Sequence, residues 1–256
     1  MTPRPFAMSG RAKAGLLLLL AYTVYAGAQL DFSWARFESG MGHASTFLSR
    51  MFPPNFEKPA TLWKGIAESL EIAVLASVLG VLIALPIGLL GARNMMPAWV
   101  SWPARAIVAL CRALHPVIVA ILFVKAVGFG ALAGILALIV ASIGFIAKLF
   151  AEAIEEISLK QVEAVRASGA NFMNTLIFAV LPQVNARFIG FATYQLDSNL
   201  RNSTMVGIVG GGGIGGSLQA AFGRFDYDFV CAILIAIIAM IMIGEVISQR
   251  LRALFL

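Results

Sequence analysis

Residues 126–147 run for 22 positions without one charged side chain. As a helix rising 1.5 Å per residue, a stretch of that length crosses the roughly 30 Å hydrocarbon core of a bilayer. Lipid offers the backbone no hydrogen-bond partners, so a chain built from such stretches is confined to helices or to a closed barrel. Composition supports the helical choice. Of all residues 60% are hydrophobic and 12% are charged, where ordinary soluble domains carry about a quarter charged. The 256 residues have room for roughly six spans of about 20 residues and one long loop. The expectation is an all-α integral membrane protein with about six transmembrane helices.

The expected spans are 14–30, 72–91, 106–124, 126–147, 176–200 and 229–244. The first follows Arg4, Arg11 and Lys13 and ends in Ala26-Gly27-Ala28, a pattern shared by secretory leaders; it is read as a retained span. Pro86 and Gly88 interrupt the second, and Arg112 and His115-Pro116 mark the third. In the fourth, Gly130, Gly134, Ala137 and Ala141 recur at intervals that let another helix approach closely. Two divisions follow, 1–60 as a first span with an outer interfacial segment and 61–256 as the core. Within the aromatic outer segment, 31–69, Trp63 and Lys64 form an expected interface anchor.

Six crossings put both termini on one side. Taking that side as cytoplasmic places ten basic residues inside against seven outside. Setting aside the long outer segment, which translocates largely regardless of charge, leaves Lys125, Arg201 and Arg224 outside.

The formal charge of +6 invites a nucleic-acid reading, but no basic cluster with interleaved aromatics exists to carry one. Cys111 and Cys231 both lie in apolar runs, and His43 and His115 are far apart, so neither a disulfide framework nor a metal site is indicated. Gly210 to Gly215 match G-x-G-x-x-G; without a preceding strand and a βαβ unit the match has no dinucleotide meaning, and no Lys-Ser or Lys-Thr follows to make a phosphate loop. No cofactor is expected in this chain.

The segment 152–169 is a polar, helix-forming island carrying Glu152, Glu155, Glu156, Lys160, Glu163 and Arg166. Ile154, Ile157 and Val162 keep one face apolar. Gly169 is a natural stop, and Leu181-Pro182 opens or kinks the next element. The run Glu163-Ala164-Val165, three residues, Gly169, then Leu181-Pro182 resembles the cytoplasmic coupling motif of ABC importer permeases. Val165 stands for the usual second Ala, and Ala179 occupies the usual Ile position. The resemblance implies a type I ABC importer permease fold. It also implies that Glu163, Ala164, Arg166, Gly169, Leu181 and Pro182 dock on an ATPase subunit, with 152–169 as the coupling helix.

A second constellation runs from Leu196 to Gly216. Its Asn199-Leu200-Arg201-x-Ser203-Thr204 followed by a glycine-rich loop is similar to the phosphonate-type branch of these permeases, as are Ala92-Arg93-Asn94 and the run from Lys148 to Glu155. Around His115-Pro116 the chain departs from the Pro-Glu of that pattern. Asn199, Arg201, Ser203, Thr204 and the loop glycines Gly211, Gly212 and Gly213 are the candidate lining of an oxyanion path. Arg201 offers planar recognition of phosphoryl oxygens, or it serves only to neutralise Asp197 four residues earlier. The glycines either expose amides that cradle an anion or simply permit close packing.

The resemblance implies a permease for phosphonates, phosphate or phosphite in the bacterial inner membrane, with both termini cytoplasmic. Its implied partners are two cytoplasmic ATPase subunits carrying ATP and Mg, a second permease chain, identical or paralogous, and an extracytoplasmic solute-binding protein. Two other classes stand beside it. A stand-alone secondary transporter or channel for small anions needs its own ion site at mid-membrane. A membrane enzyme needs a catalytic group set, and none is visible.

Overall fold

The computed structural model describes residues 9–30 and 33–255; Arg4 and the first two residues of the outer segment, Asp31 and Phe32, lie outside the described residues. The described residues are helical and fall into two compact units, one through Arg50 and one from Met51. That division comes ten residues before the one expected at 60/61.

The first unit holds α1 (Gly10–Gln29) and most of α2 (Trp34–Met51). The Ser9 hydroxyl caps α1 by accepting from the Ala12 amide, and leucines 16–20 stand exposed around the helix, as a helix solvated by lipid requires.

The second unit is a bundle whose order is α3 (Pro59–Gly91), α4 (Ala98–Ala113), α5 (Pro116–Val127), α6 (Ala131–Glu155), α7 (Leu159–Ala167), α8 (Phe172–Thr175), α9 (Leu181–Ile208), α10 (Ile214–Gly223) and α11 (Tyr227–Phe255). Among the described residues, four helical stretches are long and apolar enough to cross a bilayer, and six if the bent pairs α1 with α2 and α4 with α5 each count as one span. At 33 residues α3 is about 50 Å long. It begins well before residue 72, so Trp63 and Lys64 belong to this helix rather than to a separate interfacial segment.

α3 and α6 run in the same direction, and glycines on α3 set their separation. A Cβ on Gly80 would collide with Ser142, and one on Gly88 would lie 2.8 Å from the Ala147 carbonyl oxygen. α9 runs the opposite way between them. At one end of the bundle lie the start of α3, the glycine loop 209–213 and the turn into α11. There Asn55 donates through its backbone and its side chain to Asp228, and Lys58 pairs with Asp226 at 3.3 Å. The other end holds the close of α3 and α6, the short helix α7 and the start of α9.

Three expectations need correction. The run 126–147 is not one helix: α5 ends at Val127, Gly128 and Gly130 turn through positive φ (+93° and +132°), and α6 starts at Ala131. The span predicted over 106–124 is bent by 91° between α4 and α5. Pro116 lacks an N–H and forces His115 into extended backbone (φ −67°, ψ 141°), while the His115 ring nitrogen caps α5 by accepting from Val117. The single helix expected over 152–169 is two elements: α6 continues through Glu155, a turn follows, and α7 starts at Leu159. The turn is held because the Ser158 amide donates to the Gln183 side-chain oxygen of α9 at 2.9 Å.

Just before Pro182 the chain widens into a π-helical stretch, 176–180. Proline cannot donate to the carbonyl four residues back and its ring crowds it, which is where such a bulge relieves the helix.

Candidate functional site

α7 is a small knob with one buried side. Val162 is packed with Ile154, Ala179, Val180 and Val184, so α7, α6 and α9 share one apolar cluster. Ala179, the departure from the coupling motif, is buried in it. Glu163, Ala164 and Arg166 face outward, and neither charge has an ion-pair partner among the described residues. Gly169 ends the knob at φ +83° with open space around it, a conformation L side chains rarely adopt. Leu159, Phe172 and Met173 surround the knob as exposed apolar residues, and Leu181 and Pro182 are exposed close by. All six motif residues therefore lie at one end of the bundle and are exposed.

The neighbouring carboxylates do other work. Glu155 accepts from the Arg93 amide at 2.8 Å and pairs with Arg105 at 2.5 Å; Glu152 pairs with Lys148 and Glu156 with Arg187, each at 2.5 Å. Glu155 and Glu156 tie the close of α6 to α4 and to α9, whereas Glu152 and Lys148 pair within α6.

Halfway along the bundle lies a polar layer. Asn199 on α9 donates to Ser77 of α3 (2.9 Å) and to Ser142 of α6 (3.0 Å), and accepts from Gln195 (3.0 Å), which also donates to Ser142 (2.9 Å). All four side chains are buried. Both serine hydroxyls in turn donate to carbonyls of their own helices, so the layer joins three helices and leaves its hydroxyls satisfied. Sequence reasoning missed Ser77, Ser142 and Gln195; single polar residues inside apolar runs were the available signal.

Of the four α9 residues expected along a solute route, Arg201 is exposed and the others are enclosed. Ser203 donates back to the Leu200 carbonyl, and the buried Thr204 hydroxyl has no partner. Arg201 pairs with Asp197 at 2.8 Å; its side chain is 43% exposed and that of Asp197 8%. One Asp197 oxygen stays buried and unpartnered.

The glycine loop turns through positive φ at Gly210, Gly212 and Gly213 (+99°, +79°, +76°). Gly211 is wedged against Gly134 of α6 and Val206, whereas Gly130 precedes α6 and a Cβ there would meet open space. Some of the loop's amides are committed: Gly210 and Gly211 donate to carbonyls at the end of α9, and Ile214 donates to the Ser69 hydroxyl at 2.9 Å, whereas the Gly212 and Gly213 amides donate to no described residue. Close packing therefore accounts for most of the glycines. Gly212 and Gly213 border a cleft of about 530 Å³ with Lys64 and Glu68.

Another cavity, about 330 Å³, opens where α4 and α5 bend beside α9; Arg112, Pro116, Tyr194, Gln195, Ser198 and Asn202 line it. The sequence reading noted Arg112 without assigning it a role.

A family model described as "Binding-protein-dependent transport system inner membrane component" matches residues 84–255. The chain is 41% identical over 207 residues to the phosphate-import permease protein PhnE of Mycolicibacterium smegmatis, covering 80% of this chain and 39% of that protein. It is 38% identical over 218 residues to the phosphite transport system permease protein PtxC of Stutzerimonas stutzeri, covering 85% and 79%. Among solved structures, inward-facing conformations of the MetNI methionine ABC transporter match with a TM-score of 0.68 and 26% identity, over 78% of this chain and 99% of that one. With the same fold, the glycine-stopped knob and a family match over two thirds of its length, the chain belongs to the binding-protein-dependent transport system inner membrane components.

Proposed function

We propose that the chain is one of two permease subunits in an ATP-driven importer of phosphonates or the related oxyanions phosphate and phosphite. The second permease is identical or paralogous. Two cytoplasmic ATPase subunits, carrying ATP and Mg, dock on the α7 end, and an extracytoplasmic solute-binding protein delivers cargo to the glycine-loop end. The membrane is the bacterial inner membrane, with both termini on the cytoplasmic side.

The observation that carries this reading is the construction of α7. Its outer face is charged, unpaired and ringed by exposed apolar residues, while Val162 is locked into the core of α6 and α9. A force applied to Glu163 or to the turn at Gly169 therefore moves two spanning helices as one body. Closure of an ATPase dimer would draw two such knobs together and switch the bundle between access states, a rigid-body transition.

The substrate class rests on the pattern of relatives. Permeases named for phosphate, phosphite and phosphonate are 33–43% identical to this chain, whereas those named for D-methionine are 27–28% identical.

Glu163→Ala and Gly169→Val test the coupling. Both variants should insert and assemble, and both should lose uptake together with solute-stimulated ATP hydrolysis. Unchanged rates in both would remove the coupling role, and uptake without any ATPase subunit would favour a stand-alone anion channel or secondary transporter.

A further inference from the structure

We propose that the cavity at the α4–α5 bend is an oxyanion-binding station within the membrane, with Arg112 as its cation. The proposal rests on the importer reading above and moves the principal solute contact from Arg201 to Arg112.

Charge accounting singles out this arginine. Among the cations of α4, α5, α6 and α9, Arg105, Lys148, Arg187 and Arg201 each have a carboxylate partner. Lys125 lies in the last turn of α5. Arg112 lies near the depth of the polar layer, because its side chain crosses α6 at Gly144, two residues from Ser142. A Cβ on Gly144 would stand 2.8 Å from the Arg112 Cγ, so the glycine is what lets the stem lie there. Arg112 has no ion pair or hydrogen bond with any described residue. An unpaired guanidinium at that depth is costly in lipid and belongs beside water or an anion.

The rest of the lining suits an anion. No carboxylate borders the cavity. Asn202 donates to the Ser198 oxygen at 3.3 Å, which leaves the Ser198 hydroxyl hydrogen to point elsewhere. The Tyr194 hydroxyl is a second neutral donor, its ring steadied by Phe145 at 5.5 Å. The backbone of the bend contributes little, because Val117 and Ile118 already donate to His115. Recognition thus falls to side chains, with one guanidinium for charge and hydroxyls for the remaining oxygens. A volume near 330 Å³ fits the lower end of small-ligand sites, about 300–1,000 Å³.

Arg112 also borders a second cavity of about 150 Å³, shared with Arg105, Lys148 and Glu152 toward the α7 end. In that second space the cations are already held by glutamates, so an anion leaving Arg112 meets weaker attraction ahead, which favours release.

Cys111 lines the same cavity, whereas Cys231 is buried, so a native thiol reports on it. In the assembled importer with its ATPase and binding protein, Cys111 is modified with an anionic and a cationic methanethiosulfonate reagent, with and without phosphate, phosphite or methylphosphonate. Cys111→Ser identifies the signal. The wild type should favour the anionic reagent and be protected by at least one oxyanion. Arg112→Gln should lower the anionic preference and the protection about tenfold or more, the worth of one charge-assisted contact, and reduce uptake; Arg112→Lys should recover part of each. Arg201→Gln should leave the reagent preference at Cys111 unchanged. Equal labelling of wild type and Arg112→Gln, with no oxyanion protection in a complex that takes up its solute, overturns the station while leaving the importer reading intact. A wild-type complex that takes up none of the three anions overturns the importer reading, and the station with it. Should Arg112→Gln fail to assemble, Ser198→Ala carries the test: weaker protection supports the station, and unaltered protection and uptake contradict it.

Discussion

Replacing Asn199 with leucine removes the central member of the polar layer while keeping the branching and the number of side-chain heavy atoms, although the two methyls are bulkier than the amide and add some overpacking. The residue is fully buried and takes part in three side-chain hydrogen bonds, two of them to serines on other helices. Side-chain hydrogen bonds between membrane helices average about 0.6 kcal/mol, so three of them set the loss at about 2 kcal/mol. The serines are not orphaned, because each still donates within its own helix; the added penalty is confined to one Gln195 hydrogen. Reversible unfolding of the purified chain in detergent or bicelles measures the change, and a double-mutant cycle with Ser77→Ala isolates one bond at about 0.6 kcal/mol. A stability within about 0.3 kcal/mol of wild type, or a coupling of zero with Ser77, would refute the view that this layer fixes how α3, α6 and α9 meet.

Three further outcomes follow from the same packing. Gly134→Leu drives a side chain into the Gly211 carbonyl and Val206, so it should destabilise by about 1–3 kcal/mol or more and expose the loop to proteolysis; normal yield and protection would contradict the packing. Arg201→Gln leaves Asp197 buried with an unpartnered charge, and should destabilise by less than the roughly 3–5 kcal/mol of a fully enclosed pair because the guanidinium is half-exposed. Adding Asp197→Asn should restore stability, and a double variant no better than the single would show that the pair is not what Arg201 is for. Glu155→Gln should loosen the link between α4, α6 and the close of α3, read as faster amide exchange at Arg93; unchanged exchange there would contradict the link.

The spans were legible because lipid imposes length and apolarity on each helix separately: 72–91 lies within α3 and 229–244 within α11, whereas the uncharged run 126–147 is divided between the end of α5 and α6. The turn that closes α7 was legible for a different reason: Gly169 and Pro182 act locally on backbone, so their spacing carries meaning without tertiary knowledge. What sequence could not separate was direction. Asn199, Arg201, Ser203 and Thr204 lie within six positions on one helix, yet a 100° step per residue sends the first inward to Ser77 and the second outward. Arg112 escaped assignment because its significance depends on which carboxylates are already taken, and that is decided by partners up to 62 residues away, as between Arg93 and Glu155. The break inside 152–169 was hidden because Gln183, which holds the turn, sits far along the chain.

The most direct test of the account is uptake into proteoliposomes holding this permease with its ATPase and binding-protein partners, using labelled phosphate, phosphite and methylphosphonate with ATP inside or outside. The account predicts accumulation of at least one of these anions that requires ATP on the α7 side, and its loss in Gly169→Val. Accumulation without ATP or an ATPase, or transport of methionine in preference to every phosphorus oxyanion, would contradict it.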